Sequence, residues 1–180
     1  KKNFPFEKKN FRKFFKNPAI FLDRDGVINY DTGYVHNYKK FKFRRTIIKA
    51  LKYISQKNYY IFIVTNQAGI GRGKFKLFHL EQMHKKLKDF FIKKNIRIDD
   101  IRYCPYHPEA KIKKYKKNSE FRKPGNLMIK SLIKSWPIKM SKSFMIGDQK
   151  SDQICAEKSK LYFEFVKKNT FEQFKKLTDS

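Results

Sequence analysis

Short apolar runs alternate with segments of helical periodicity along this chain, and that alternation admits few folds. The clearest run, Tyr59-Tyr-Ile-Phe-Ile-Val64, is continuous, aromatic and β-branched, which predicts a strand buried on both faces. Ala19-Ile-Phe-Leu22 and Ser143-Phe-Met-Ile146 repeat the pattern, and residues 98–103 and 161–166 add two candidate strands. Between them Ile47, Ile48, Leu51 and Ile54 recur at helical spacing, as do Leu80, Met83, Leu87, Phe90 and Phe91. Leu127, Met128, Leu132, Ile133 and Trp136 mark another helix, and residues 151–158 a shorter one. Thr170-Phe-Glu-Gln173 reads as a capping box opening a last helix, with Phe171, Phe174 and Leu177 on one face. Continuously apolar strands alternating with helices mean an α/β fold, a Rossmann-like parallel sheet flanked by helices on both faces.

Length and composition agree with one such domain. The chain has 180 residues, 40% of them hydrophobic, enough for a packed core and too many for a disordered basic tail. No apolar run approaches the ~20 residues that a membrane-spanning helix needs. Residues 1–17 form a basic, aromatic arm in which Lys13, Lys16 and Asn17 interrupt any secretory core, and residues 18–180 form the domain. Two cysteines, Cys104 and Cys155, cannot build a disulfide framework, so a reduced, cytoplasmic setting is expected. The net charge of +28 has two readings that stay open: attraction of polyanions, or the Lys-, Asn- and Phe-rich coding of an AT-rich genome.

In parallel sheets the chemistry collects at the carboxyl ends of the strands. The first apolar run ends in Asp23-Arg-Asp25-Gly26, where Gly26 allows a sharp turn. The second ends in Thr65-Asn66-Gln67-Ala68, and a later one in Gly147-Asp148-Gln149-Lys-Ser-Asp152. Arg122-Lys123-Pro124 places two cations just before a helix. Each piece alone is a common turn or cap; together they supply carboxylates, a hydroxyl and a cation at one sheet edge. That set suits phosphoryl transfer. Asp23 and Asp148 can hold Mg²⁺, a hard cation that leaves room for phosphate oxygens. Asp23 can attack phosphorus, Asp25 can move the leaving-group and water protons, and Thr65 and Lys123 can steady the transferring phosphoryl oxygens.

These residues carry a resemblance. Asp23-Arg-Asp-Gly-Val27, Thr65, Lys123 and Gly147-Asp148-x-x-x-Asp152 resemble the four motifs of the haloacid-dehalogenase (HAD) superfamily of phosphatases. Phe21-Leu-Asp-Arg-Asp-Gly-Val-Ile-Asn29, Asp31-Thr-Gly-Tyr-Val-His36, Thr65-Asn-Gln-Ala-Gly-Ile-Gly-Arg-Gly-Lys74 and Tyr103-Cys-Pro-Tyr-His-Pro108 are similar to its sugar-bisphosphate branch, the heptose 1,7-bisphosphate 7-phosphatases. The resemblance implies a HAD fold without a large cap domain. It implies Mg²⁺-dependent removal of the 7-phosphate through an aspartyl-phosphate on Asp23, in the supply of activated heptose for lipopolysaccharide. Asp25 would be the acid/base, Thr65 and Lys123 the phosphate binders, and Asp23, the Asp25 carbonyl and Asp148 the metal ligands. Asp31, Thr32, Gly33, Tyr34, Asn66, Gln67, Ala68, Arg122 and Gln149 would line the substrate pocket, with Asp152 in support. The related histidinol-phosphate phosphatases share the four motifs. A nucleic-acid 3′-phosphatase and a non-enzymatic polyanion binder are the alternatives. The expected partner is a small sugar phosphate, with no specific nucleic acid and no membrane span, acting on a monomer.

Two departures from the branch stand out. Its usual proline-glycine-methionine segment reads Pro124-Gly-Asn-Leu-Met128 here, which implies a shifted helix start. Many of its members also hold a structural zinc through one Cys-x-His and one Cys-x-Cys pair, and here those positions read Cys104-Pro-Tyr106 and Ser119-Glu-Phe121. Cys104 and the displaced His107 supply at most two ligands where a structural site takes four, so zinc is expected to be absent. Pro105, Pro108 and packing of Phe121 are expected to hold that loop instead. His79 and His84 read as surface or packing residues of the long helix, and Cys155 as a buried, inert thiol.

Overall fold

The computed structural model describes residues 15–179. The arm expected over residues 1–17 therefore falls mostly outside the described residues, and only its end is seen. There Asn17 pairs with Ile138, and the Tyr60 hydroxyl donates to the Phe15 carbonyl at 2.6 Å.

Five parallel strands form one sheet: β1 (Ala19–Leu22), β2 (Tyr60–Asn66), β3 (Asp100–Cys104), β4 (Phe144–Gly147) and β5 (Tyr162–Phe165), in the order β3-β2-β1-β4-β5. The helices are α1 (Ile47–Gln56), α2 (Leu77–Lys93), α3 (Leu127–Ser135), α4 (Lys150–Lys158) and α5 (Thr170–Thr178). The continuous apolar runs have a simple cause, since alternate residues of each strand serve opposite cores. Ile20, Leu22, Ile61, Ile63, Phe144 and Ile146 pack with α1, α2 and Phe174 of α5. Ala19, Phe21, Tyr60, Phe62, Val64 and Met145 pack with α3, α4 and Trp136. A strand buried on both faces cannot show polar alternation.

Boundaries shift where polar residues take part in the sheet. The second strand was expected to stop at Val64. It runs on through Thr65 and Asn66 because both pair in register with Tyr103 and Cys104 of β3. The edge strand β5 leaves Tyr162 and Phe165 exposed. The last helix is capped by Asn169, whose side chain accepts from the Glu172 N–H at 3.3 Å, and not by Thr170 as the sequence suggested. Thr170 is wholly buried and spends its hydroxyl on Thr46, 2.8 Å away, which ties the start of α5 to the start of α1. That contact helps hold Thr46 at φ +71°, a conformation that a β-branched residue rarely adopts.

The order β3-β2-β1-β4-β5 makes the chain leave β1 toward β2 and return later to β4 on the other side. The carboxyl ends of β1 and β4 thus flank the crevice where such sheets bind ligands. The irregular segments 23–46 and 105–126 overlie that edge with only single 3₁₀ turns, and neither is a domain-sized cap.

Candidate active site

The β1–β4 crevice opens into a cleft of about 450 Å³. Asp23, Asp25, Asp31, Gly33, Tyr34, Thr65, Asn66, Gln67, Ala68, Arg122, Lys123, Asp148 and Gln149 line it, as the sequence predicts. Thr32 does not. The Gly33 N–H donates to the Asp31 carboxylate at 2.9 Å, and this turn leaves Thr32 exposed. Gly69, Arg72 and Ser151 line the cleft without having been singled out.

Lys123 is the hub. Its ammonium is buried, 2.9 Å from Asp23 Oδ1 and 2.6 Å from Asp152 Oδ1, and it donates to the Val64 carbonyl at 3.0 Å. Burial alone would favour neutral lysine, but the two carboxylates hold its pKa above the ordinary value. Asn66 fixes the backbone from which Lys123 projects, donating to its carbonyl and accepting from its N–H, both at 3.0 Å. Asp23 is buried and accepts from Lys123 and from the Arg24 N–H (2.7 Å), both through Oδ1. Burial pushes its pKa up to about 7; Lys123 opposes the rise, while Asp152 and Asp25 add to it.

Asp152 is a support. Its Oδ2 accepts from the N–H groups of Asp148 and Gln149, at 3.1 and 3.0 Å, and so shapes the loop that presents Asp148. One carboxylate oxygen each from Asp23, Asp148 and Asp152 lies within 4.8 Å of the others, a spacing that could hold a cation. Asp148 fits that role best, because its Oδ1 is buried without a hydrogen-bond partner while Oδ2 accepts from Gln149 at 2.9 Å. Burial, opposed by that Gln149 bond, raises the pKa of Asp148, and a divalent cation would offset the cost. Asp152 differs in having both oxygens engaged, Oδ1 by Lys123 and Oδ2 by the two backbone N–H groups.

Asp25 is gripped from behind. Arg24 donates to both of its oxygens (2.7–3.1 Å), Asn29 to Oδ1 and Gln67 to Oδ2, each at 2.9 Å. Gln67 also donates to the Thr65 hydroxyl at 3.0 Å, which links the β2 terminus to the β1 loop. Arg24 and Asn29 were not among the expected site residues, and His84, expected on the surface or in packing, is buried against Arg24. Their only signal was an arginine inside an acidic loop, and its partner His84 lies sixty residues on.

The loop after β3 is held differently from the sequence expectation. The Phe121 side chain is exposed rather than packed, and only its backbone N–H is engaged, donating to the Ser119 hydroxyl at 3.3 Å. The tie is made by Arg72, which donates to the Tyr34 hydroxyl at 2.9 Å and meets His107 Nε2 at 3.1 Å, and by the Ile112 N–H donating to the Gly71 carbonyl. Arg122 reaches the cleft with its Nη1 buried and without a hydrogen-bond partner. After the segment around Gly125, α3 begins at Leu127, and Lys123 lines the cleft.

A parallel sheet whose carboxyl edge gathers a carboxylate nucleophile candidate, a buried lysine, a strand-end threonine and a second acidic loop defines a HAD-like phosphatase. The family described as polynucleotide kinase 3 phosphatase matches residues 20–177, and the chain belongs to it. Within that class it is similar to proteins named D-glycero-beta-D-manno-heptose-1,7-bisphosphate 7-phosphatase. The Rhodopseudomonas palustris protein is 42% identical over 137 residues, covering 76% of each chain. The Escherichia coli K12 protein is 37% identical over 139 residues, covering 77% of this chain and 73% of its own. Among solved structures, a putative HAD-like phosphatase from Mesorhizobium loti matches with a TM-score of 0.82 at 21% identity, over 90% of this chain and 86% of its own. The D,D-heptose 1,7-bisphosphate phosphatase from B. bronchiseptica, complexed with magnesium and phosphate, matches with a TM-score of 0.75 at 23% identity, over 87% and 84%.

Two predictions come from this geometry. Gly26 sits at φ +85°, and a Cβ there would lie 2.2 Å from Asp148 Oδ2. Gly26→Ala should leave the circular dichroism spectrum unchanged and lower kcat/KM about 100-fold by displacing Asp148. Burial first, then Arg24 and Lys88, push the His84 pKa down to about 3, below its unfolded value of roughly 6.5. Neutral His84 therefore stabilises the fold fully above that unfolded value, and the contribution is lost as pH falls toward 3. Denaturant titrations should show the stability of the wild type falling more steeply below pH 6.5 than that of His84→Gln, by up to about 1.4 kcal/mol per pH unit.

Proposed function

We propose that the protein is a Mg²⁺-dependent phosphatase that removes the 7-phosphate of D-glycero-D-manno-heptose 1,7-bisphosphate. The observation that carries this reading is the pairing of Asp23 and Lys123 beside the unpartnered Asp148 Oδ1 in a cleft of sugar-phosphate size. The names of the relatives agree with it. The lining also suits two phosphates, because besides Thr65 and Lys123 it includes Arg72 and Arg122, whose Nη1 has no hydrogen-bond partner.

The chemistry follows from where each group sits. Asp23 attacks phosphorus through Oδ2, the oxygen not taken by Lys123 or the Arg24 N–H. The phosphorus–oxygen bond to the sugar breaks with its electron pair on the sugar oxygen, which takes a proton from the Asp25 carboxyl. Asp25, now a carboxylate, removes a proton from water as that water attacks the same phosphorus. Phosphate leaves, Asp23 is regenerated as a carboxylate and Asp25 is again protonated. Lys123 and the Thr65 hydroxyl bind the transferring phosphoryl oxygens. Mg²⁺ held by Asp23, the Asp25 carbonyl and Asp148 would neutralise phosphate charge, so that one anion can approach another.

Asp23→Asn should abolish phosphate release from the bisphosphate while unfolding at a temperature near that of the wild type. Retention of substantial turnover by that variant would remove Asp23 as the nucleophile. Wild-type enzyme should prefer heptose bisphosphate to histidinol phosphate and to a 3′-phosphorylated oligonucleotide; a faster rate on the oligonucleotide would reassign the substrate.

The same reading includes a zinc-free loop. His107 faces a donor at each ring nitrogen, Arg72 at Nε2 and the Glu109 N–H at Nδ1, so its single lone pair is already spent on one of them, and burial raises the Cys104 thiol pKa, which disfavours the thiolate that zinc would need. Activity should be lost to EDTA, restored by Mg²⁺, and indifferent to a zinc-selective chelator. Stoichiometric zinc in protein purified without a metal-binding tag would contradict the zinc-free loop.

A further inference from the structure

Arg24 is wholly buried, and it lies between the two aspartates of the β1 loop. A buried guanidinium is expensive, and an apolar side chain of similar volume would serve stability as well. This one is committed in full. Nε and Nη2 clamp the Asp25 carboxylate, Nη2 also donates to the Val35 carbonyl at 2.7 Å, and Nη1 meets His84 Nε2 at 3.0 Å. Because guanidinium can only donate, Nε2 must be the lone-pair nitrogen of the imidazole, with the proton on Nδ1. His84 projects from the buried face of α2 and does not line the cleft. It is the one acceptor that Arg24 Nη1 has among the described residues.

The geometry points to His84 as a positioning residue of the reaction, acting through Arg24 to hold the Asp25 carboxyl at the leaving-group oxygen. This rests on the phosphatase reading above and deepens it. The bland account, that His84 only fills space against Tyr103, leaves the commitment of Arg24 to Asp25 unexplained. Without an acceptor at position 84, Nη1 would be a buried unpaired donor, and the guanidinium would turn to find a partner. Turning it opens the two-pronged grip on Asp25. Asn29 and Gln67 would still hold one oxygen each, so Asp25 would be loosened rather than lost. Groups that bind the phosphoryl oxygens, Thr65 and Lys123, touch neither Arg24 nor His84.

The consequence is a loss confined to proton transfer. His84→Phe should lower kcat on heptose bisphosphate by about 50-fold, with KM within about twofold of wild type. Single-turnover release of p-nitrophenolate from p-nitrophenyl phosphate should stay within about threefold, because that leaving group departs as a stable anion and needs no proton. His84→Gln, whose amide oxygen can accept from Nη1, should recover most of kcat. Arg24→Lys keeps the charge but cannot form the fork, and should repeat the selective loss. Equal losses on both substrates in His84→Phe, or unchanged kcat, would overturn the proposal. If His84→Phe does not fold, Arg24→Lys decides by the same comparison: selective loss supports the positioning role and uniform loss refutes it. A wild-type enzyme that hydrolyses neither substrate would instead defeat the phosphatase reading itself.

Discussion

The buried ammonium of Lys123 lies between two carboxylates, Asp23 on the β1 loop and Asp152 on α4, and three parts of the chain meet there. Removing the ammonium would leave two buried carboxylates without their shared cation, a defect that costs about 3–5 kcal/mol, whereas removing one carboxylate leaves Lys123 paired with the other. The ammonium also faces the Val64 carbonyl, so the termini of β1, β2 and β4 are drawn toward one point. Asp152 passes the constraint on through its second oxygen, which accepts from the backbone of the Asp148 loop. A single cation thus fixes both the candidate nucleophile and the turn that carries a candidate metal ligand.

Two separate supports share the cleft. Lys123 and Asp152 steady the atoms that would meet phosphorus and metal, whereas Arg24, Asn29 and Gln67 steady Asp25. The Gln67 amide joins them by bonding both Asp25 and Thr65. Division of this kind lets the acid/base be tuned without disturbing the phosphoryl contacts.

The fold was legible where burial leaves no choice. β1, β2 and β4 are covered on both faces, so their sequences are apolar throughout, and α1 and α2 show a stripe because one face meets the sheet. Thr65 and Asn66 read as loop although they pair with β3, because strand ends that serve a site are polar by necessity. Part of the cleft was legible too, because Asp23, Asp25, Thr65 to Ala68, Asp148 and Gln149 lie within a few positions of strand ends, whereas Asp31 to Tyr34 were reached only through the family resemblance. Arg24 and His84 were not. A fully buried arginine opposes every compositional rule, and its partner becomes visible only when α2 folds back onto the β1 loop. Phe121 misled for the opposite reason: an aromatic residue in a loop need not be covered, and the polar Arg72–His107 contact does the holding instead.

The proposed mechanism requires Asp23 to become covalently phosphorylated. Wild-type enzyme mixed with heptose bisphosphate carrying a radioactive 7-phosphate, quenched in acid within a turnover and reduced with borohydride, would convert an aspartyl-phosphate to homoserine. Peptide sequencing by mass spectrometry should place homoserine at position 23 and nowhere else, with protein-bound label present before reduction. Label that never attaches to the protein, or homoserine at a different aspartate, would contradict the mechanism.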